Sequence, residues 1–329
     1  MNRLAAIGRR LTLPLKVATT ACVFAYVASH VELAGIARVL ANLSAPLLIS
    51  IVVLLLTQHL LIAVRLRMMA RTLAVDLRFG PALDSQLVGA FFSQSFLTFV
   101  AGDGMRAWML RRSEVPLREA AGAVFLDRVA GFASLLLLVV LSLPSLLELA
   151  PSRQGLGVAA AAGVLVLLGL SGLAVLWGIA DGRAPARLVE RLALGWVRER
   201  ATRVRALLSE WQSGSAIVLL GMGVQITNIV AIFAIARAIG LDVELFECAT
   251  LVPSVILVSM LPISVGGWGV REGAMIIGLG LIGIGSDPAV AVSVLFGAGL
   301  AIAALPGAAV WLRQRGRAAR RDEPIAQAP

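Results

Sequence analysis

The chain has 329 residues, of which 59% are hydrophobic and only 15% charged, with a mean hydropathy of +0.91. A soluble domain is about a quarter charged, so this is the composition of a membrane protein. The net charge of +10 comes from 29 basic residues, all arginine except Lys16. Most sit in short segments between apolar runs, as on a cytoplasmic membrane face, and no aromatic-studded basic domain argues for nucleic acid.

Apolar runs long enough to cross a bilayer as helices, about 20 residues, recur at 12–30, 47–64, 119–147, 155–179, 214–238 and 288–312. They are continuous rather than alternating, which predicts helices and not a β-barrel. The first follows Arg3, Arg9 and Arg10 and, with further spans behind it, reads as an uncleaved first helix rather than a signal peptide. Two more apolar stretches, 83–101 and 246–262, lead directly into glycine-rich motifs. Segment 183–205, with seven arginines among Leu188, Leu192, Leu194, Trp196 and Val197, reads as an amphipathic surface helix facing anionic lipid headgroups, or as an ordinary positive-inside loop. The isolated Cys22, Cys248, His30 and His59 offer no metal-ligand or nucleophile–base spacing, and no metal or cofactor is expected.

Basic residues set the orientation. Segments 1–16, 65–80, 105–118, 183–205 and 313–321 hold 24 of the 29, whereas 31–46, 148–154 and 237–247 hold one each. Segments 65–80 and 105–118 therefore both face the cytoplasm, as do the two termini. The apolar stretch between them cannot cross fully. It is expected to form a re-entrant hairpin turning at Gly102-Asp103-Gly104, where glycine tolerates the backbone a turn requires.

The second motif mirrors the first. Val100-Ala-Gly-Asp-Gly-Met-Arg106 reappears as Val265-Gly-Gly-Trp-Gly-Val-Arg271, identical at four of seven positions. Segment 246–285 is expected to be a hairpin entering from outside, broken at Pro262, Gly266, Gly267 and Gly269. The predicted fold is thus an all-α polytopic membrane protein with about six full spans plus two re-entrant helical hairpins arranged as an inverted repeat. Its units are about 47–179 and 214–312, within one membrane domain over 1–321 and a cytoplasmic tail at 322–329. Inverted repeats whose broken helices meet near the midplane are transporter architecture.

Ionisable groups inside a membrane are costly and mark function. Asp103 and Arg106 lie at the first motif, Arg271 and Glu272 at the second, and Asp127-Arg128 about nine residues into a long span. Neighbouring helical residues diverge by about 100°, so Asp127 and Arg128 each need a partner from another helix. These six are the candidate substrate-binding charges; a mutually neutralising structural network is the alternative. Gln225 and Asn228, three apart on one helical face, are further candidates for lining the site. Gln58 and His59 read as interhelical hydrogen-bonding groups.

At these motifs the sequence resembles the lysylphosphatidylglycerol synthase transmembrane, or flippase-like, family of bacterial and archaeal membrane proteins. The residues that carry the resemblance are Gly102-Asp103 with Arg106, Asp127-Arg128 with Gly131, and Pro262-x-Ser264-x-Gly266-Gly267-x-Gly269-x-Arg271-Glu272-Gly273. The resemblance implies a role in moving lipids or lipid-linked groups between leaflets. In the synthase a soluble domain transfers lysine from tRNA. Here about 17 residues follow the last predicted span, so only the translocation role is expected to carry over. The expected function is a non-enzymatic inner-membrane lipid translocase. The headgroup phosphate would meet Arg106, Arg128 or Arg271, and Asp103, Asp127 and Glu272 would orient them. No nucleotide-binding motif is present, so transport is expected to be downhill or coupled to an ion gradient. The alternative is an enzyme acting on a polyprenyl-phosphate-linked substrate with one of the carboxylates as base or metal ligand.

Overall fold

The computed structural model describes residues 44–95, 99–149, 153–180, 198–199, 202, 211–261 and 269–321. Among them are nine longer helices and no strand: α1 (Ala45–Thr72), α2 (Phe79–Ser95), α3 (Phe99–Arg112), α4 (Leu117–Leu149), α5 (Arg153–Ala180), α6 (Trp211–Ala238), α7 (Leu245–Ser259), α8 (Val270–Gly280) and α9 (Ser286–Arg321). Five of these, α1, α4, α5, α6 and α9, are long and apolar enough to cross a membrane. They coincide with the expected spans apart from 12–30, which lies outside the described residues. The arm at 183–205 also lies outside them, except for Arg198, Glu199 and Thr202.

Local chemistry sets several helix ends. Pro46 opens α1, where its missing N–H costs nothing, and Ala74 at φ 59° turns the chain just beyond the last residue. The Glu244 amide donates to the Glu247 carboxylate at 2.8 Å to start α7. Gly269 starts α8 at φ 87°, a conformation L side chains rarely adopt, and its amide donates to the Glu272 carboxylate.

Helices α2 and α3 form an antiparallel pair. Ser85 donates to the Arg106 carbonyl at 3.0 Å, and Gly89 and Ser93 both lie against Gly102. As one partner rises in number the other falls. The two helices have 17 and 14 residues, so at about 1.5 Å per residue each is shorter than the ~30 Å hydrocarbon core. Arg78, Arg111 and Arg112 end up at the same end of the pair.

One expectation is corrected here. Gly102 and Gly104 are not turn residues; both lie inside α3, which begins at Phe99, after α2 has ended at Ser95. A Cβ at Gly102 would collide with the Ser93 hydroxyl and with the Gly89 carbonyl oxygen, so this glycine lets two backbones approach closely. A Cβ at Gly104 would meet nothing within 4 Å. Gly269 does occupy a turn. Pro262, Gly266 and Gly267 lie outside the described residues.

The second short pair, α7 and α8, meets where Val255 packs on Gly278. Helix α9 lies along α2 and comes close to it at Gly307, where a Cβ would strike the Leu87 carbonyl oxygen. Backbone cannot yield as a side-chain tip can, and overpacking costs about 1–3 kcal/mol. Gly307→Ala is therefore expected to lower the thermal unfolding temperature by several degrees in detergent, whereas Gly104→Ala is expected to leave it unchanged.

Three apolar clusters hold the helices together. Leu55, Ile232 and Leu279 belong to one around α1, α6, α7, α8 and α9; Leu66, Leu110 and Ala123 to one joining α1, α3 and α4; and Leu135, Val139 and Val166 to one between α4 and α5. Large apolar side chains such as Leu167, Leu219 and Leu312 are exposed. In a bilayer those faces meet lipid. Between the clusters lies a polar interior.

Candidate functional site

Five charged residues form one chain of ion pairs through that interior. Arg65 on α1 donates through Nε to Asp127 Oδ1 at 2.7 Å, and Arg106 on α3 donates through Nη2 to Asp127 Oδ2, also at 2.7 Å. Arg106 Nη1 lies 3.5 Å from Asp103 Oδ1. Arg128 closes the series, its Nε and Nη2 donating to Asp103 Oδ2 at 3.0 and 2.7 Å. The adjacent Asp127 and Arg128 thus reach different partners, as their divergence around α4 requires.

The order of signs is plus, minus, plus, minus, plus. Burial is graded along it: the side chains of Arg65, Asp127 and Arg106 are 6%, 2% and 7% exposed, against 27% for Asp103 and 36% for Arg128. Taking charges out of water is expensive unless they are paired, and here the deep charges meet one another while the shallow end opens outward. Each deep arginine rests on a glycine of a neighbouring helix. A Cβ at Gly131 would stand 2.9 Å from Arg65 Nη2, and one at Gly89 would collide with Arg106 Cγ. Those glycines make room for guanidinium groups.

The ionic chain borders a cavity of about 260 Å³. His59 and Gln86 also line it, their Nδ1 and Nε2 atoms 3.3 Å apart. Among the described residues, four buried polar atoms of the lining have no hydrogen-bond partner: His59 Nε2, Gln86 Oε1, Arg106 Nε and Asp103 Oδ1. Buried polar groups are nearly always satisfied, so these atoms are placed to bond water or a polar ligand in the cavity. Three arginines against two aspartates give it a net charge of +1 with His59 neutral.

The expected site residues are not all brought together. Asp103, Arg106, Asp127, Arg128 and Gln225 line the cavity. Asn228, bonded to Gln225 at 3.3 Å, is not part of the lining. Neither are Arg271 and Glu272, which form a second network with Ser293 of α9. Arg271 donates to Ser293 Oγ through Nε at 3.1 Å and to Glu272 Oε1 through Nη2 at 2.9 Å, and the Ser293 hydroxyl donates to the same Oε1 at 3.0 Å. The Arg271 guanidinium lies against Gly297, where a Cβ would collide with it. Of the three arginines expected to meet the phosphate, Arg106 and Arg128 thus lie in one ionic cluster and Arg271 in another.

The family model described as the lysylphosphatidylglycerol synthase TM region matches residues 13–307. The chain belongs to this family. Neither the curated proteins nor the solved structures compared with it give a match. The region matched in the lysylphosphatidylglycerol synthase transmembrane family contains both ionic clusters and the cavity, which places them in a multi-pass membrane protein of a lipid-related family.

The sequence pattern assigned Arg65 to the membrane face and His59 to interhelical hydrogen bonding, and it did not single out Gln86. Arg65 counts with Arg67 and Arg71 as cytoplasmic-face charge, yet α1 continues to Thr72 and buries it. A signal was present: Gln58, Ile62 and Arg65 are spaced i, i+4, i+7 and so share one helical face.

Proposed function

We propose that this protein is an inner-membrane lipid translocase, with both termini in the cytoplasm, that moves a phospholipid or lipid-linked headgroup between leaflets without altering it chemically. One observation carries the reading. A cavity in a lipid-related membrane protein holds three arginines against two aspartates, an excess of one positive charge, and Arg128 stands partly exposed at its open end. A phosphodiester brings one negative charge and acceptor oxygens suited to the planar guanidinium fork. It competes with Asp103 for Arg128, while Asp127 keeps Arg65 and Arg106 in place. The headgroup then occupies a polar cavity while its tails stay in hydrocarbon.

In this reading α2–α3 and α7–α8 are re-entrant hairpins of an inverted repeat, entering from the cytoplasmic and outer sides. Their shortness and the antiparallel pairing of α2 with α3 support it. Single cysteines placed at Asp76 and Ser113, in a background lacking Cys22 and Cys248, are expected to resist an impermeant external thiol reagent in intact cells. Labelling of only one would mean a full crossing between them and would remove the inverted repeat.

The activity is tested with purified protein in phosphatidylcholine vesicles carrying fluorescent phosphatidylglycerol or phosphatidylethanolamine, read by leaflet-selective quenching. Movement well above that in empty vesicles is expected, undiminished by a chelator, and Arg106→Lys is expected to lose most of it through loss of the fork geometry. No movement of either lipid would defeat the translocase reading. A strict need for Mg²⁺ or Mn²⁺ would favour an enzyme on a polyprenyl-phosphate-linked substrate.

A further inference from the structure

Beside the polar cavity runs an apolar groove of about 450 Å³ between α4, α5 and the end of α7. Arg128, Phe132 and Met260 line both spaces, so the groove and the cavity adjoin. Apart from Arg128 the groove is walled by apolar side chains and glycine, among them Leu165, Leu173 and Leu257. Leu168 on its α5 wall is 63% exposed, so the groove opens on the outer face of the helix bundle.

We infer that this groove seats a hydrocarbon chain of the same lipid whose phosphate is held at Arg128, and that the lipid enters the cavity sideways from the bilayer between α4 and α5. The inference deepens the translocase reading and rests on it. A charged headgroup cannot pass through hydrocarbon alone, and a tail cannot follow its headgroup into a polar cavity. The place where both are accommodated must be a junction of the two environments. Arg128 stands at that junction, partly exposed, with its guanidinium on Asp103 and the residue itself in the wall of the groove. Long cationic side chains join apolar and polar surroundings in this way.

The tail gains little by leaving the bilayer for the groove, because lipid chains are as apolar as the leucines lining it. Occupancy is therefore decided by the headgroup. Ordinary lipid-facing surface takes lipids in proportion to their abundance. A tail groove coupled to Arg128 takes anionic lipids in excess, and that excess depends on Arg128.

Photo-crosslinking tests this on the full chain in phosphatidylcholine nanodiscs doped with phosphatidylglycerol. Benzoylphenylalanine replaces Leu168 in the groove or, as a control, Leu219, which is 66% exposed on α6 and outside the groove lining. At Leu168 phosphatidylglycerol is expected to be captured several-fold above its share of the bilayer, and at Leu219 in proportion to it. Arg128→Gln is expected to abolish the excess at Leu168 while leaving capture at Leu219 unchanged, which also reports an inserted fold. Gly172→Trp gives a second route to the same outcome. A Cβ at Gly172 meets nothing within 4 Å, so the new side chain starts from open space on the groove wall. Proportional capture at both positions, an excess that survives Arg128→Gln and Gly172→Trp, or capture of the chain's own segment 12–30 at Leu168 would each overturn the tail seat. Transport by the same wild-type protein separates the two readings. Selective capture without transport keeps the seat and removes the translocase, and transport without selective capture removes the seat alone.

Discussion

Asp127→Asn is expected to abolish transport and to lower thermal stability more than any other single substitution in the polar cavity. Asp127 is 1% exposed and accepts from Arg65 and Arg106 at 2.7 Å each, so two buried guanidinium groups from different helices share one carboxylate. Asparagine keeps the shape but leaves those cations facing each other across a neutral amide. Breaking a buried pair from one side costs about 3–5 kcal/mol, and here both neighbours lose their anion. Removing one cation as well is expected to restore much of the stability, because Arg106 retains Asp103 on its own helix at 3.5 Å. The Arg65→Gln/Asp127→Asn double variant should therefore unfold at a higher temperature than Asp127→Asn alone. Equal unfolding temperatures for wild type and Asp127→Asn would mean that the ionic chain is hydrated enough to carry little energy.

The charges of this site were legible in the sequence because hydrocarbon makes them conspicuous. Asp127 and Arg128 stand deep in an apolar run, so each had to find a partner across the bundle, and Asp103 and Arg106 close another run. Their partners were less legible. Arg65 shares its neighbourhood with Arg67 and Arg71 at the end of an apolar run, where a charge count assigns all three to the membrane face. Only the helical extension to Thr72 turns Arg65 inward. Glycine was ambiguous in the same way. A glycine that bends the chain and one that lets two helices touch look alike in sequence, and Gly102 proved to be the second kind while Gly269, at φ 87°, is the first. The five long spans were found to within a few residues at most ends, since twenty apolar residues in a row have few alternatives. The exceptions are the C-terminal ends of α1 and α9, which run on through arginine-rich sequence that an apolar criterion leaves out.

Arg271→Gln is expected to damage both stability and transport, and Arg271→Gln/Glu272→Gln to recover most of both. Residues adjacent on a helix diverge by about 100°, yet Arg271 and Glu272 meet at 2.9 Å because both turn toward Ser293 on α9. The serine hydroxyl accepts from Arg271 and donates to Glu272, while the other Glu272 oxygen accepts from the Gly269 amide at the start of α8. The cluster has no net charge, and its bonds tie α8 to α9. Taking away the arginine leaves a carboxylate that is 3% exposed without its cation, which is the costly case. Taking away both charges leaves two amides that can still bond Ser293 and the Gly269 amide. Thermal unfolding and vesicle transport measured on the single and double variants decide the role of the pair. Recovery of both properties makes Arg271 a helix clamp, so that phosphate recognition rests on the cluster around Arg106 and Arg128. A double variant that is stable but inactive would show instead that the guanidinium of Arg271 itself meets the lipid.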